Sequence, residues 1–286
     1  MSVTPKQTGS AVSSTKKTAD PTDPNWANTT GVRLRQPVTE KGATTTIAGV
    51  HFFDSKQGRP TLVFLHGLGR MLECWIGQIE ALSKDFRCLA VDLPGHGQSV
   101  PPAEPTVPSL ASAVGVLLKE LAVEDCILVG HSMGCRVATR VWHDAAPRVR
   151  GIVYVDGSLF VSSADEVHAG GRHYIAKAIA NAVENGADEA TQRGLWRSQI
   201  PWDQARARPI LQSVSVPVLL IQSTVLNADR SRREIAPGEL TPWLELASDV
   251  LGRYRIERIA GAGHFVHHEK TDRVNQLIAG FSASLS

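Results

Sequence analysis

The chain predicts an α/β fold, with a mostly parallel sheet, helices on both faces and a small helical cap. Three observations carry that expectation. Short apolar runs such as Thr61-Leu62-Val63-Phe64-Leu65 and Cys126-Ile127-Leu128-Val129 lack polar alternation, as strands covered on both faces should. Between them lie segments whose apolar residues recur at helical spacing, for example Leu72, Trp75, Ile76, Ile79 and Leu82. The alternation is broken once, over Leu159 to Pro209, by a stretch of helix formers too long for an ordinary connection. A cap inserted at about 159–209, over the C-terminal ends of the strands, accommodates it best.

In order, Met1 to about Gly42 is rich in Ser, Thr, Pro and Lys and poor in large apolar residues besides Trp26. It reads as a disordered or loosely docked arm, residues 1–42, before a single domain over 43–286. The arm has no apolar core of the kind a secretory signal needs, and the expected location is the cytoplasm. Strands are expected at Thr44–Ile47, Val50–Phe53 and Thr61–Leu65, and a helix over Met71–Leu82. Phe86–Val91 is the fourth strand. A proline-rich loop over Pro101–Pro108 leads into a helix at Ser109–Leu121. The fifth strand ends at Val129, and a helix follows from Arg136 to His143. Val149–Val155, Val216–Ile221 and Tyr254–Ile259 complete the sheet, with helices at Pro242–Leu251 and Val274–Phe281.

With 286 residues the chain can bury a substantial core without a disulfide or metal staple. Its 30 Lys and Arg against 28 Asp and Glu leave a net charge of +2, which argues against a nucleic-acid partner. No apolar run is long enough to span a membrane. The four cysteines (Cys74, Cys88, Cys126, Cys135) lack C-x-x-C spacing and read as free, buried thiols.

The chemistry gathers at expected strand ends. Gly130-His131-Ser132-Met133-Gly134 follows a buried strand and precedes a helix. A serine in so sharp a turn has its hydroxyl pushed out at the end of the strand, and the flanking glycines remove Cβ atoms that would clash. Ser132 is therefore the candidate nucleophile; Cys135, one turn on, reads as packing. A serine hydroxyl needs a base, commonly a histidine held by a carboxylate. His264, in Gly261-Ala262-Gly263-His264-Phe265 after the last strand, is the candidate base. His267 and His268 read as solvent-facing, and a metal site made with them would need a carboxylate or thiol partner that the sequence does not place. An oxyanion needs preorganised donors, and the backbone N–H groups of Met133 and of Leu68 in His66-Gly67-Leu68-Gly69 are the candidates. Asp92-Leu93-Pro94-Gly95-His96-Gly97 reads as a structural turn.

Taken together, His66-Gly67-Leu68-Gly69, Asp92-Leu93-Pro94-Gly95-His96-Gly97-Gln98-Ser99, Gly130-His131-Ser132-Met133-Gly134 and Gly263-His264-Phe265 make the chain look like a serine α/β-hydrolase from Thr44 to Phe281. The resemblance implies hydrolysis of an ester-type bond (carboxylic ester, lactone or thioester) of a small substrate, without cofactor or metal. Carbon–carbon hydrolases and slow-turnover receptors share the same motifs. One position departs from the family pattern. The acid usually follows the seventh strand, where this chain has Leu226 and Asn227, with Asp229 the nearest carboxylate in an arginine-rich, solvated segment. Asp156, directly after the sixth strand, is the favoured acid, as some relatives place theirs there. Trp196 and Trp202 in the expected cap suit either an apolar substrate part or cap packing.

Overall fold

The computed structural model describes residues 42–144, 148–157, 175–202, 208–227 and 232–285. The arm expected over 1–42 therefore falls almost wholly outside the described residues, as do parts of the expected cap and Asp229. Eight strands form one sheet in the order β1-β2-β4-β3-β5-β6-β7, with the last strand of the chain, β10, at the far edge. They are β1 (Ala43–Ile47), β2 (Val50–Asp54), β3 (Thr61–Leu65), β4 (Arg87–Val91), β5 (Asp125–His131), β6 (Arg148–Val155), β7 (Val218–Gln222) and β10 (Tyr254–Arg258). The run from β4 to β10 is parallel, and β1 and β2 add an antiparallel edge.

The period-2 geometry of a strand divides each apolar run between two cores. Val63, Leu65 and Leu128 face one core with helices α2 (Val107–Glu120), α3 (Met133–Asp144) and α7 (Pro242–Val250). Leu62, Phe64, Ile127 and Val129 face the other, with α1 (Ile76–Leu82) and α9 (Thr271–Ala283). Every residue of β3 is buried, because helices cover both sides.

Several bounds differ from the sequence reading, α3 among them, which starts at Met133 where Arg136 was expected. The helix expected over Met71–Leu82 is split into a 3₁₀ turn at Leu72–Trp75 and α1. The Leu72 N–H donates to Asp92 Oδ1 at 2.7 Å, which ties this turn to the next strand's end. Helix α2 begins at Val107, inside the expected proline loop. Pro108 costs nothing in a first turn, and Thr106 caps it in a reciprocal pair with Ser109. After β7 a small hairpin appears, β8 (Thr224–Leu226) with β9 (Arg232–Glu234), where no strand was expected.

Between β6 and β7 the described residues contain α4 (175–184), α5 (Glu189–Trp202) and α6 (Arg208–Gln212). The first two lie against the loops that leave β3 and β4. The Asp188 N–H donates to the Gly95 carbonyl at 2.8 Å, Gln192 Nε2 donates to His96 Nε2 at 2.8 Å, and a Cβ on Gly69 would meet Ala182 at 2.6 Å. Trp196 is half-buried on α5, and the Trp202 side chain lies outside the described residues.

Candidate active site

The parallel strands β3, β5, β6 and β10 deliver their C-terminal ends to one edge of the sheet, where ligands of open α/β sheets bind. Ser132 follows β5 directly, with φ +52°. A non-glycine residue in the left-handed region is strained, and the surroundings hold it there. Its N–H donates to the Val155 carbonyl at 3.2 Å and its carbonyl accepts from Cys135 N–H at 3.1 Å. Both glycines of the turn are sterically required. A Cβ on Gly130 would stand 2.5 Å from the Gly134 carbonyl oxygen, and one on Gly134 would overlap the Leu65 carbonyl. Cys135 faces inward, its thiol donating to the Gly130 carbonyl at 3.1 Å.

Ser132, His264 and Asp156 form one chain of hydrogen bonds. The Ser132 hydroxyl lies 3.1 Å from His264 Nε2, and His264 Nδ1 lies 2.6 Å from Asp156 Oδ2. Asp156 caps β6 with φ +43° and is fully buried. Its Oδ1 accepts from the Ser223 N–H at 2.9 Å and the Thr224 N–H at 2.8 Å, with the Ser223 hydroxyl at 3.0 Å. Its Oδ2 accepts from the Thr224 hydroxyl at 2.6 Å and from Arg232 at 3.3 Å. Burial alone would raise this carboxyl. The hydrogen bond and charge of His264, the Arg232 guanidinium and the Thr224 hydroxyl outweigh it and hold Asp156 below the ordinary carboxylate range. For His264, burial and the nearby Arg232 charge press the imidazole below its ordinary value against the pull of Asp156, which leaves it neutral and able to accept a proton.

The loop that carries His264 is fixed from several sides. His131 Nε2–H donates to the His264 carbonyl at 2.8 Å, and the Gly263 N–H donates to Glu269 at 2.8 Å. The Ser223 hydroxyl also lies 2.8 Å from the Gly263 carbonyl. The turn bearing Leu68 is closed by Arg70 N–H to the Gly67 carbonyl at 3.1 Å and pressed against the serine, since a Cβ on Gly67 would stand 3.2 Å from Ser132 Cβ. Strands β3 and β6 flank β5 on opposite sides, so the turn bearing Leu68 and the Asp156 end of β6 leave the sheet on either side of the Ser132 strand, and Met133 opens α3. His66 braces the same turn: Nδ1–H donates to the Gly67 carbonyl at 2.8 Å and Nε2 accepts the Leu93 N–H at 2.9 Å.

Asp92 bonds elsewhere, to His51 Nδ1 at 2.8 Å and to the Leu72 and Gln98 N–H groups. Two expectations are overturned. His267 is not solvent-facing: it is 1% exposed and packs, with tilted rings, against Trp75 at 4.6 Å and His131 at 4.5 Å between ring centroids. The helical turn α8 (Val266–Glu269) rotates it inward. Arg232, read as part of a solvated segment, is drawn in by the β8–β9 hairpin to a side-chain exposure of 13% against Asp156. Neither position carries a local signal, because each depends on pairing across long sequence separations.

The chain is 30% identical over 203 residues to a pimeloyl-[acyl-carrier protein] methyl ester esterase of Aeromonas hydrophila, covering 65% of this chain and 75% of that protein. It is 37% identical over 114 residues to the dihydrolipoyllysine-residue acetyltransferase component of the acetoin cleaving system of Cupriavidus necator, covering 40% of this chain and 30% of that one. The chain spans less than two thirds of the length of the latter and of two further curated relatives that it matches. Among solved structures, the N-acyl homoserine lactonase AidH with N-butanoyl homoserine superposes with a TM-score of 0.67 at 17% identity, covering 86% of this chain and 97% of that one. Such a likeness establishes the fold alone. The sequence profile of the alpha/beta hydrolase family matches residues 62–277, from β3 into α9, and the chain belongs to that family.

Proposed function

We propose that the protein is a serine-dependent hydrolase of ester-type bonds (carboxylic ester, lactone or thioester) in a small, apolar substrate. The observation that carries this reading is the unbroken chain Ser132–His264–Asp156, at 3.1 and 2.6 Å, on the neutral imidazole. Ser132 Oγ attacks the substrate carbonyl carbon and passes its proton to His264 Nε2. Asp156 accepts from Nδ1–H throughout, which fixes the tautomer and offsets the charge of the imidazolium. The amides of Leu68 and Met133 donate to the oxyanion. Collapse expels the alcohol or thiol, which takes the proton from His264. Water then attacks the acyl-serine with the same groups in reverse order, releasing the acid and restoring Ser132.

The name of a sequence relative, a methyl ester esterase, supports the ester class. Helices α4 and α5, set against the Gly69 and Gly95 loops, are the natural source of substrate selection. A fluorophosphonate probe should label Ser132 alone, and Ser132→Ala should lose p-nitrophenyl ester hydrolysis by several orders of magnitude. Labelling that survives Ser132→Ala would refute the assignment.

A further inference from the structure

Behind the candidate active site lies a second cluster that the ester chemistry does not use. Cys74, on the Leu72–Trp75 turn, meets His267 and His268 of α8, with one ligand atom from each lying within 4.8 Å of the others. Cys74 and His267 are buried, at 9% and 1% exposure, and His268 is half-buried. Neither ring nitrogen of His267 has a hydrogen-bond partner among the described residues, although a neutral imidazole always carries one N–H and one lone pair. Buried polar groups are ordinarily satisfied, so an unpaired imidazole lone pair beside a thiol points to an absent partner for one of the two nitrogens. This is also the thiol that the sequence could not place beside the adjacent histidines.

We propose that Cys74, His267 and His268 bind a zinc ion, with water in the fourth position on the open side of His268. The donor set is one sulfur and two imidazoles with no oxygen, which suits zinc and not calcium or magnesium. Zinc–sulfur and zinc–nitrogen bonds of about 2.3 and 2.0 Å place tetrahedral ligand atoms roughly 3.3 to 3.6 Å apart. Closing from a spacing of no more than 4.8 Å asks for shifts of about 1 Å, within reach of small side-chain rotations.

Binding converts the Cys74 thiol to a zinc thiolate and releases one proton to solvent. Affinity therefore rises with pH. The charged groups that bear on the thiol are Arg70, Glu73 and Asp92. Arg70, whose guanidinium stacks over Phe265 at 4.3 Å, favours the thiolate while repelling the dication. The affinity accordingly falls below that of a four-ligand structural site. The ion would fasten the helix after His264 to the turn after Leu68, from behind and independently of the serine chemistry.

The test uses the full chain, stripped with a chelator and then titrated with Zn²⁺ by calorimetry and with Co²⁺ by absorbance. One ion per chain, a thiolate-to-cobalt charge-transfer band and a zinc-dependent rise in Tm are expected. Cys74→Ser should abolish the band, and His268→Ala should weaken Zn²⁺ binding at least tenfold; both positions tolerate a polar or small side chain without a buried charge. Absence of stoichiometric binding at micromolar metal overturns the proposal. So does binding undiminished in both variants, which would assign the cation to other histidines.

Discussion

Replacing Asp156 by asparagine isolates the charge of the acid from its shape. Two backbone N–H groups, from Ser223 and Thr224, converge on Oδ1 at 2.9 and 2.8 Å. The oxygen of the new amide must take that position, so its NH₂ faces His264 Nδ1, the Thr224 hydroxyl and Arg232. The amide then donates where the carboxylate accepted. His264 is driven to the tautomer with its proton on Nε2, facing Ser132 with no lone pair to offer. The lost attraction between carboxylate and imidazolium is about 4 kcal/mol at 4 Å and an effective dielectric near 20. That corresponds to roughly three powers of ten in rate, and the wrong tautomer brings the loss to about 10⁴ in kcat. Hydrolysis of p-nitrophenyl esters, measured beside circular dichroism and thermal unfolding, checks it. A folded Asp156→Asn variant within about tenfold of the parent would refute the assignment.

Arg232→Gln should leave the protein folded while moving the acid limb of kcat/KM to higher pH, because the Arg232 charge is one of the causes that lower His264. Stability should shift in the same sense. Asp156 has a depressed folded-state pKa, so its contribution is present above the ordinary carboxylate value and is lost as pH falls through the folded one. Without Arg232 the folded-state value rises towards the ordinary one, so the contribution is smaller and its loss is complete at higher pH, as acid titration by circular dichroism would reveal. Gly134→Ala should lower stability by more than about 3 kcal/mol, since the added Cβ meets backbone at Leu65 that cannot move aside; an unchanged Tm would contradict the packing of the turn. Asp229→Asn should keep ester turnover close to the parent, because Asp156 already supplies the carboxylate at His264 Nδ1. Trimming residues 1–42 should leave turnover within a few-fold, given how little apolar area the arm offers. Loss of folding would mean that Trp26 or its neighbours dock on the domain.

What the sequence determined by itself is what short-range physics controls. Apolar runs without polar alternation, such as Thr61–Leu65, have to lie between two helical layers. Gly130 and Gly134 announce the turn around Ser132 because nothing larger fits at either position in so tight a bend. Thr106 and Ser109 could likewise have revealed the true start of α2 as a capping pair. The tertiary structure alone decided which groups meet across the folded chain. Asp156 and His264 are 108 positions apart, and their approach depends on β6 and β10 lying in one parallel sheet with β7 between them. Arg232 reaches Asp156 only because a short hairpin forms after β7, and three-residue strands carry too little pattern to be read. His267 and Cys74 face each other because a single turn of helix rotates one histidine of an adjacent pair inward. The direction of a side chain on so short a helix is set by what it packs against, and that partner lies nearly two hundred residues earlier in the chain.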